Sequence, residues 1–149
     1  MQELPHLYQV NAVALSAGHV FLSAADKPDI ESMPPREFGG PGNAWSPEEL
    51  VVAAVADCFV LSFKAIAIAS KFEWKSLDCR TEGTLDRVEG AFQFTRFRTM
   101  ASLTIGVGAS KERAELLLSK AEKVCLVTNS LKAPSGLTTR VIVAETQAV

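Results

Sequence analysis

Residues 46–70, SPEELVVAAVADCFVLSFKAIAIAS, decide how this chain is read. Ser46 stands as an N-cap, Pro47 at the first helical position and Glu49 three residues after the cap, the reciprocal pattern of a capping box. The helix is expected to run to about Lys71, and it is apolar on almost every side. A helix with no clear polar face has to be covered by something else. Twenty apolar residues would also span a bilayer. Asp57 and Lys64 near the middle argue against insertion, each costing about 2.5–3.5 kcal/mol there, with little offset from the many alanines. The helix is therefore expected to be buried in protein, with no membrane partner, and the thiol of Cys58 lies at its centre.

The remaining composition narrows what that thiol can do. A chain of 149 residues, 48% hydrophobic and 21% charged, has the makings of one domain, 1–149, with a substantial core. A formal charge of −2, with no two Lys/Arg residues adjacent, offers no basic patch for nucleic acid. The opening MQELPHLYQV has neither the basic nor the apolar region of a secretory signal, so a cytoplasmic location is expected. Cys58, Cys79 and Cys125 are an odd count without a C-x-x-C pair, and only His6 and His19 are available as imidazole ligands. Neither a disulfide framework nor a metal site is expected from that set.

Outward from the helix, residues 8–26 suggest two strands turning at Ser16-Ala17-Gly18. Residues 27–45 hold four of the seven prolines and suggest a loop or extended connection. After the helix, two long strands alternate around Glu89-Gly90. Ser110 then opens a second helix, in which Ala114, Leu117, Leu118, Ala121 and Cys125 recur on one face. A polar turn over 126–136 leads to a last strand over 137–145. The order predicts an α+β domain, mostly antiparallel, with no regular βαβ rhythm. Cys58 and Cys125 both fall on inward faces of the two long helices, whereas Cys79 reads as strand packing.

Three segments, REFGGPG, SPEELVVAAVADCF and CLVTNSL, together resemble the OsmC/Ohr family of thiol-dependent hydroperoxide reductases. The resemblance spans nearly the whole chain and is closer to the OsmC branch. It rests on a Pro-Glu helix start with a cysteine ten residues after the glutamate, and a second cysteine late in the chain. It implies an OsmC-like fold of antiparallel sheets and two long central helices in an intertwined homodimer. It further implies Cys58 as peroxidatic thiol, Cys125 as resolving thiol, Arg36 as catalytic cation and Glu48 as the carboxylate orienting it. Arg36 is the only arginine among the first 79 residues. Departures from the family pattern are Ser46 in place of the usual asparagine, Leu126 where proline often follows the second cysteine, and a longer loop carrying Trp45.

The chemistry needs these residue types together. A thiolate cleaves peroxide, an apolar setting opposes its formation, and a guanidinium supplies the missing charge and a hydrogen bond to the leaving alkoxide. The sulfenic acid at Cys58 would then condense with Cys125. Ten helical residues separate Glu48 from Cys58 by about 15 Å along the axis and roughly 80° around it. A second subunit packed along the helix would remove that difficulty. Phe38, Trp45, Phe59 and Phe63 are expected as walls of an apolar substrate pocket favouring organic hydroperoxides. No bound cofactor is implied, only an external dithiol reductant, by resemblance a lipoylated protein. Two rivals are an OsmC-like protein without efficient turnover, binding an apolar ligand between subunits, and a cysteine hydrolase, for which no base stands near a motif.

Overall fold

In the computed structural model, which describes residues 3–144, the backbone groups into two compact units, Met1–Val51 and Val52–Val149. The sequence suggested one domain. The boundary falls inside the long helix.

In the first unit, β1 (Asn11–Ala14) and β2 (Val20–Ser23) form the expected antiparallel hairpin, with Ala14 opposite Val20. A third strand, β3 (Ile30–Ser32), pairs antiparallel with β2, giving the order β1-β2-β3. It lies in the segment expected as loop. Three residues between prolines are too few to show alternation, yet they suffice to hydrogen-bond along an open sheet edge. Arg36–Phe38 then make one 3-10 turn, ended by Gly39 at φ +78°. The connection closes where the Met33 amide donates to the Trp45 carbonyl at 2.9 Å.

Helix α1 (Pro47–Ala69) begins as the sequence dictates. The Glu49 amide donates to Ser46 Oγ at 3.1 Å, and the Ser46 amide donates to Glu49 Oε2 at 2.9 Å. Two amide donors left over by the helix start are thereby satisfied. Ser46 is 1% exposed, so Ser46→Ala removes an acceptor that water cannot readily replace. A loss of about 1–2 kcal/mol is expected in urea unfolding, and an unchanged midpoint would show that the cap contributes nothing.

In the second unit, β4 (Ser76–Val88) and β5 (Ala91–Ile105) form a long antiparallel pair. Their two-residue turn takes Glu89 and Gly90 to φ +49° and +87°, both left-handed, as a hairpin matched to strand twist demands. Strand β6 (Ser135–Val143) runs parallel to β5, after a crossover through α2 (Lys111–Lys123), in the order β4-β5-β6. That single βαβ unit is the one parallel pairing among the described strands, and the other three pairs are antiparallel, so the domain is mostly antiparallel as expected. Parallel pairing is imposed by the crossover helix and leaves no mark on local periodicity. The expected strand end at Glu145 lies outside the described residues. In place of the expected turn after Cys125 there is a short helix, α3 (Leu126–Ser130).

The core explains the face patterns. Phe59, Phe63 and Ala67 of α1, four residues apart, meet Ala101, Leu103 and Ile105 of β5 and Ala114, Leu117, Leu118 and Ala121 of α2. One stripe of α1 is thus covered within the chain. Leu61 and Ile68, on other sides of the same helix, are exposed.

Candidate active site

Helix α2 delivers Cys125 to the inner side of the fold. Its face Ala114, Leu117, Leu118 and Ala121 is buried, and Cys125, just past the helix end, is 1% exposed. Cys125 is also the N-cap residue of α3. From α1, Cys58 reaches the same place and is only partly buried. The two thiols are close enough to shift each other's ionisation, and the first amides of α3 favour negative charge on both sulfurs: Val127 and Leu126 act on Cys58, Thr128 and Val127 on Cys125. Residues 67 positions apart in sequence become one dithiol.

The surroundings treat the two sulfurs differently. Burial pushes the Cys58 thiol up, and Cys125 adds to that rise, against the weaker pull of the Val127 and Leu126 amides. Burial also opposes ionisation at Cys125. There it is outweighed by the Thr128 hydroxyl and amide, the Cys58 thiol and the Val127 amide, so that Cys125 lies below an ordinary thiol. Hydrogen bonds donated to sulfur stabilise its negative charge. The sequence did not single out Thr128. The signal was present, because a hydroxyl residue three positions after a cap sits where it can reach back to it.

Cys79 is partly buried on β4, packed against the core beside Leu77, and burial raises it, opposed by a hydrogen bond from Thr81. It has the packing role read from the sequence. Asp57 is exposed and takes no part in the electrostatics of Cys58.

Arg36 and Glu48 both belong to the first unit. Glu48 stands in the first turn of α1, its Oε2 buried and without a hydrogen-bond partner among the described residues. It lines a cavity of about 270 Å³ with Val20, Met33, Pro34, Pro35 and Phe38. Arg36 instead lies against Gly42: a side chain there would overlap its Nε, Cγ and Cδ atoms. The ion pairs among the described residues are His19–Glu31 and Arg80–Glu82, so no Arg36–Glu48 pair is formed. Phe38, which lines that cavity, and Trp45, which lines another, are 48% and 50% exposed. Phe59 and Phe63, expected beside them, are instead core residues at 3% and 0% exposure. Their four-residue spacing points both at β5 and α2.

Comparison with known proteins agrees with the fold. Residues 40–140 match the family described as OsmC-like protein. The chain is 31% identical over 130 residues to an organic hydroperoxide resistance protein of Xanthomonas axonopodis, covering 85% of this chain and 88% of that one. It is 30% identical over 89 residues to peroxiredoxin OsmC of Escherichia coli, covering 59% and 61% respectively. A crystal structure of an organic hydroperoxide resistance protein OsmC from Legionella pneumophila superposes with a TM-score of 0.73 at 25% identity, over 94% of this chain and 99% of that one. With the family model covering two-thirds of its length and that fold reproduced end to end, the chain belongs to the OsmC-like protein family.

Proposed function

We propose that this protein is a thiol peroxidase that reduces organic hydroperoxides to alcohols, using Cys58 and Cys125 as its redox pair. The carrying observation is the close pair of thiols, one partly buried and the other buried, each shifting the other's ionisation. The names of the Xanthomonas and Escherichia relatives point the same way. The Cys58 thiolate attacks the terminal peroxide oxygen, the O–O bond breaks, and the alkoxide leaves and takes a proton to become the alcohol. Cys58 is then a sulfenic acid. The Cys125 thiolate attacks that sulfur, hydroxide leaves as water, and a Cys58–Cys125 disulfide results. An external dithiol supplies the two electrons that restore both thiols. The lowered pKa of Cys125 favours the second step, because it makes the attacking thiolate more available than that of an ordinary thiol.

Cys58 needs a cation to ionise, since its surroundings within the chain oppose its charge. The reading assigns that role to Arg36, with Glu48 orienting the guanidinium. Glu48 Oε2 is a buried acceptor with nothing donating to it, and such a group is costly until a donor arrives. The reading also takes the protein as a cytoplasmic homodimer, because α1 hides only the stripe Val55, Phe59, Phe63 and Ala67 within its own chain. A second copy would cover the rest. One specific observation favours a second reading, binding of an apolar ligand without turnover: the cavity beside Glu48 is lined mainly by Met33, Pro34, Pro35 and Phe38.

Thiol titration separates the two. The chain has three cysteines, so one equivalent of cumene hydroperoxide should lower the titre from three thiols per chain to one, with Cys79 the survivor. An unchanged titre would support the binder and overturn the peroxidase.

A further inference from the structure

We propose that when the Cys58–Cys125 disulfide is reopened, the incoming thiolate bonds to the sulfur of Cys58 and Cys125 departs, received by the hydroxyl of Thr128. The proposal rests on the reading that these two cysteines form a disulfide. It adds which sulfur is attacked and which residue positions the leaving group.

Access is the first argument. Thiol–disulfide exchange proceeds by in-line attack, with the leaving sulfur opposite the nucleophile, and its rate depends on which sulfur can be reached. Attack on Cys58 comes from the side on which that partly buried residue keeps some exposure, and drives the leaving group inward. Attack on Cys125 would have to arrive through the core, where that residue is 1% exposed. Reception of the leaving charge is the second argument. The Thr128 hydroxyl donates to the Cys125 carbonyl at 3.1 Å and lies within hydrogen-bonding reach of the Cys125 sulfur. Its single proton can turn to the sulfur as charge develops there. The amides of Val127 and Thr128 favour negative charge on the same atom. Cys58 shares the Val127 amide but has no hydroxyl donor. The more acidic thiol leaves faster, and the lowered pKa of Cys125 agrees with that assignment.

The steps balance for any dithiol donor. One donor thiolate forms a bond to Cys58 sulfur, the Cys58–Cys125 bond breaks, and Cys125 leaves as thiolate. The second donor thiol then loses its proton and attacks the donor's own sulfur in the mixed disulfide. Cys58 thiolate is released, and the donor departs as a cyclic disulfide, two electrons poorer.

A monothiol stops the sequence at the mixed disulfide, which makes the regiochemistry visible. The full-length protein is oxidised with diamide, so that the disulfide is made without peroxide. It is then treated briefly with cysteamine, quenched in acid, blocked with N-ethylmaleimide and mapped by mass spectrometry. The cysteamine adduct is expected on the Cys58 peptide and maleimide on the Cys125 peptide, by about tenfold or more. Equal adducts, an excess on Cys125, or failure of diamide to link the pair would each overturn the proposal. A parallel arm with cumene hydroperoxide tests the peroxidase reading separately: a disulfide from diamide but none from peroxide sinks that reading while the regiochemistry is still measured. For the positioning residue, Thr128→Val should slow reopening about five- to tenfold near neutral pH and shrink the Cys58 preference, with Thr128→Ser restoring both. An unchanged rate and ratio in Thr128→Val would remove Thr128 from the assignment.

Discussion

Cys58→Ser is expected to abolish peroxide consumption, with a loss of at least about 10³-fold measured by peroxide decay under a saturating dithiol. Serine keeps the geometry and loses the nucleophile, because its hydroxyl does not ionise near neutral pH. Cys125→Ser is expected to allow a single turnover and then stall as a sulfenic acid, detectable with dimedone. Undiminished decay in Cys58→Ser would place the reactive thiol elsewhere. The pH dependence follows from the direction of the shift at Cys58. Burial raises its pKa, so the thiolate is a minor species at neutral pH, and without help its reaction rate climbs about tenfold per pH unit until the thiol is ionised. If Arg36 supplies the cation, the natural protein reaches its plateau at lower pH, and Arg36→Gln moves the rise upward. Superimposable pH–rate profiles for the two proteins would exclude Arg36 from that role.

Phe63→Ala is expected to destabilise the fold by about 3–5 kcal/mol in urea unfolding, against a total of about 5–15 kcal/mol for a domain of ordinary stability. Phe63 has no exposed surface and meets Trp74 edge-to-face at a centroid distance of 5.4 Å, so its loss leaves a cavity and an aromatic partner unpaired. The same residue distinguishes core from pocket. Phe63→Leu, closer in volume, should cost less than the alanine variant and leave the ratio of organic to hydrogen peroxide efficiencies unchanged. Phe38→Ala should lower that ratio about tenfold, because it removes several apolar carbons from a half-open wall. A changed ratio in Phe63→Leu with unchanged stability would return Phe63 to the substrate pocket.

Much of this architecture was written locally. Ser46, Pro47 and Glu49 specify the start of α1 through side chain to backbone bonds that span three residues, so the signal needs no distant partner. Glu89-Gly90 specifies the long hairpin for the same reason, since a turn with two left-handed positions is a property of adjacent residues. The inward face of α2, ending at Cys125, follows from helical periodicity and one buried side. The candidate redox pair was legible as two inward-facing cysteines on two helices, and a resemblance of motifs sharpened it.

What the sequence alone left open depends on pairs far apart in the chain. The β5–β6 pairing is parallel because α2 carries the chain back across the sheet, and strand direction has no period of its own. Phe59 and Phe63 looked like pocket walls because every face of α1 is apolar, and only the packing of β5 and α2 against one stripe turned them into core. The division of labour between the sulfurs was equally invisible. The first amides of α3 act on both cysteines, and Thr128 beside Cys125 serves that pair, only after α1 and α2 bring residues 58 and 125 together. In the folded chain one thiol is partly buried and the other fully so beside Thr128 and the first turn of α3, and an acidity difference set by those surroundings exists only once the tertiary structure has formed.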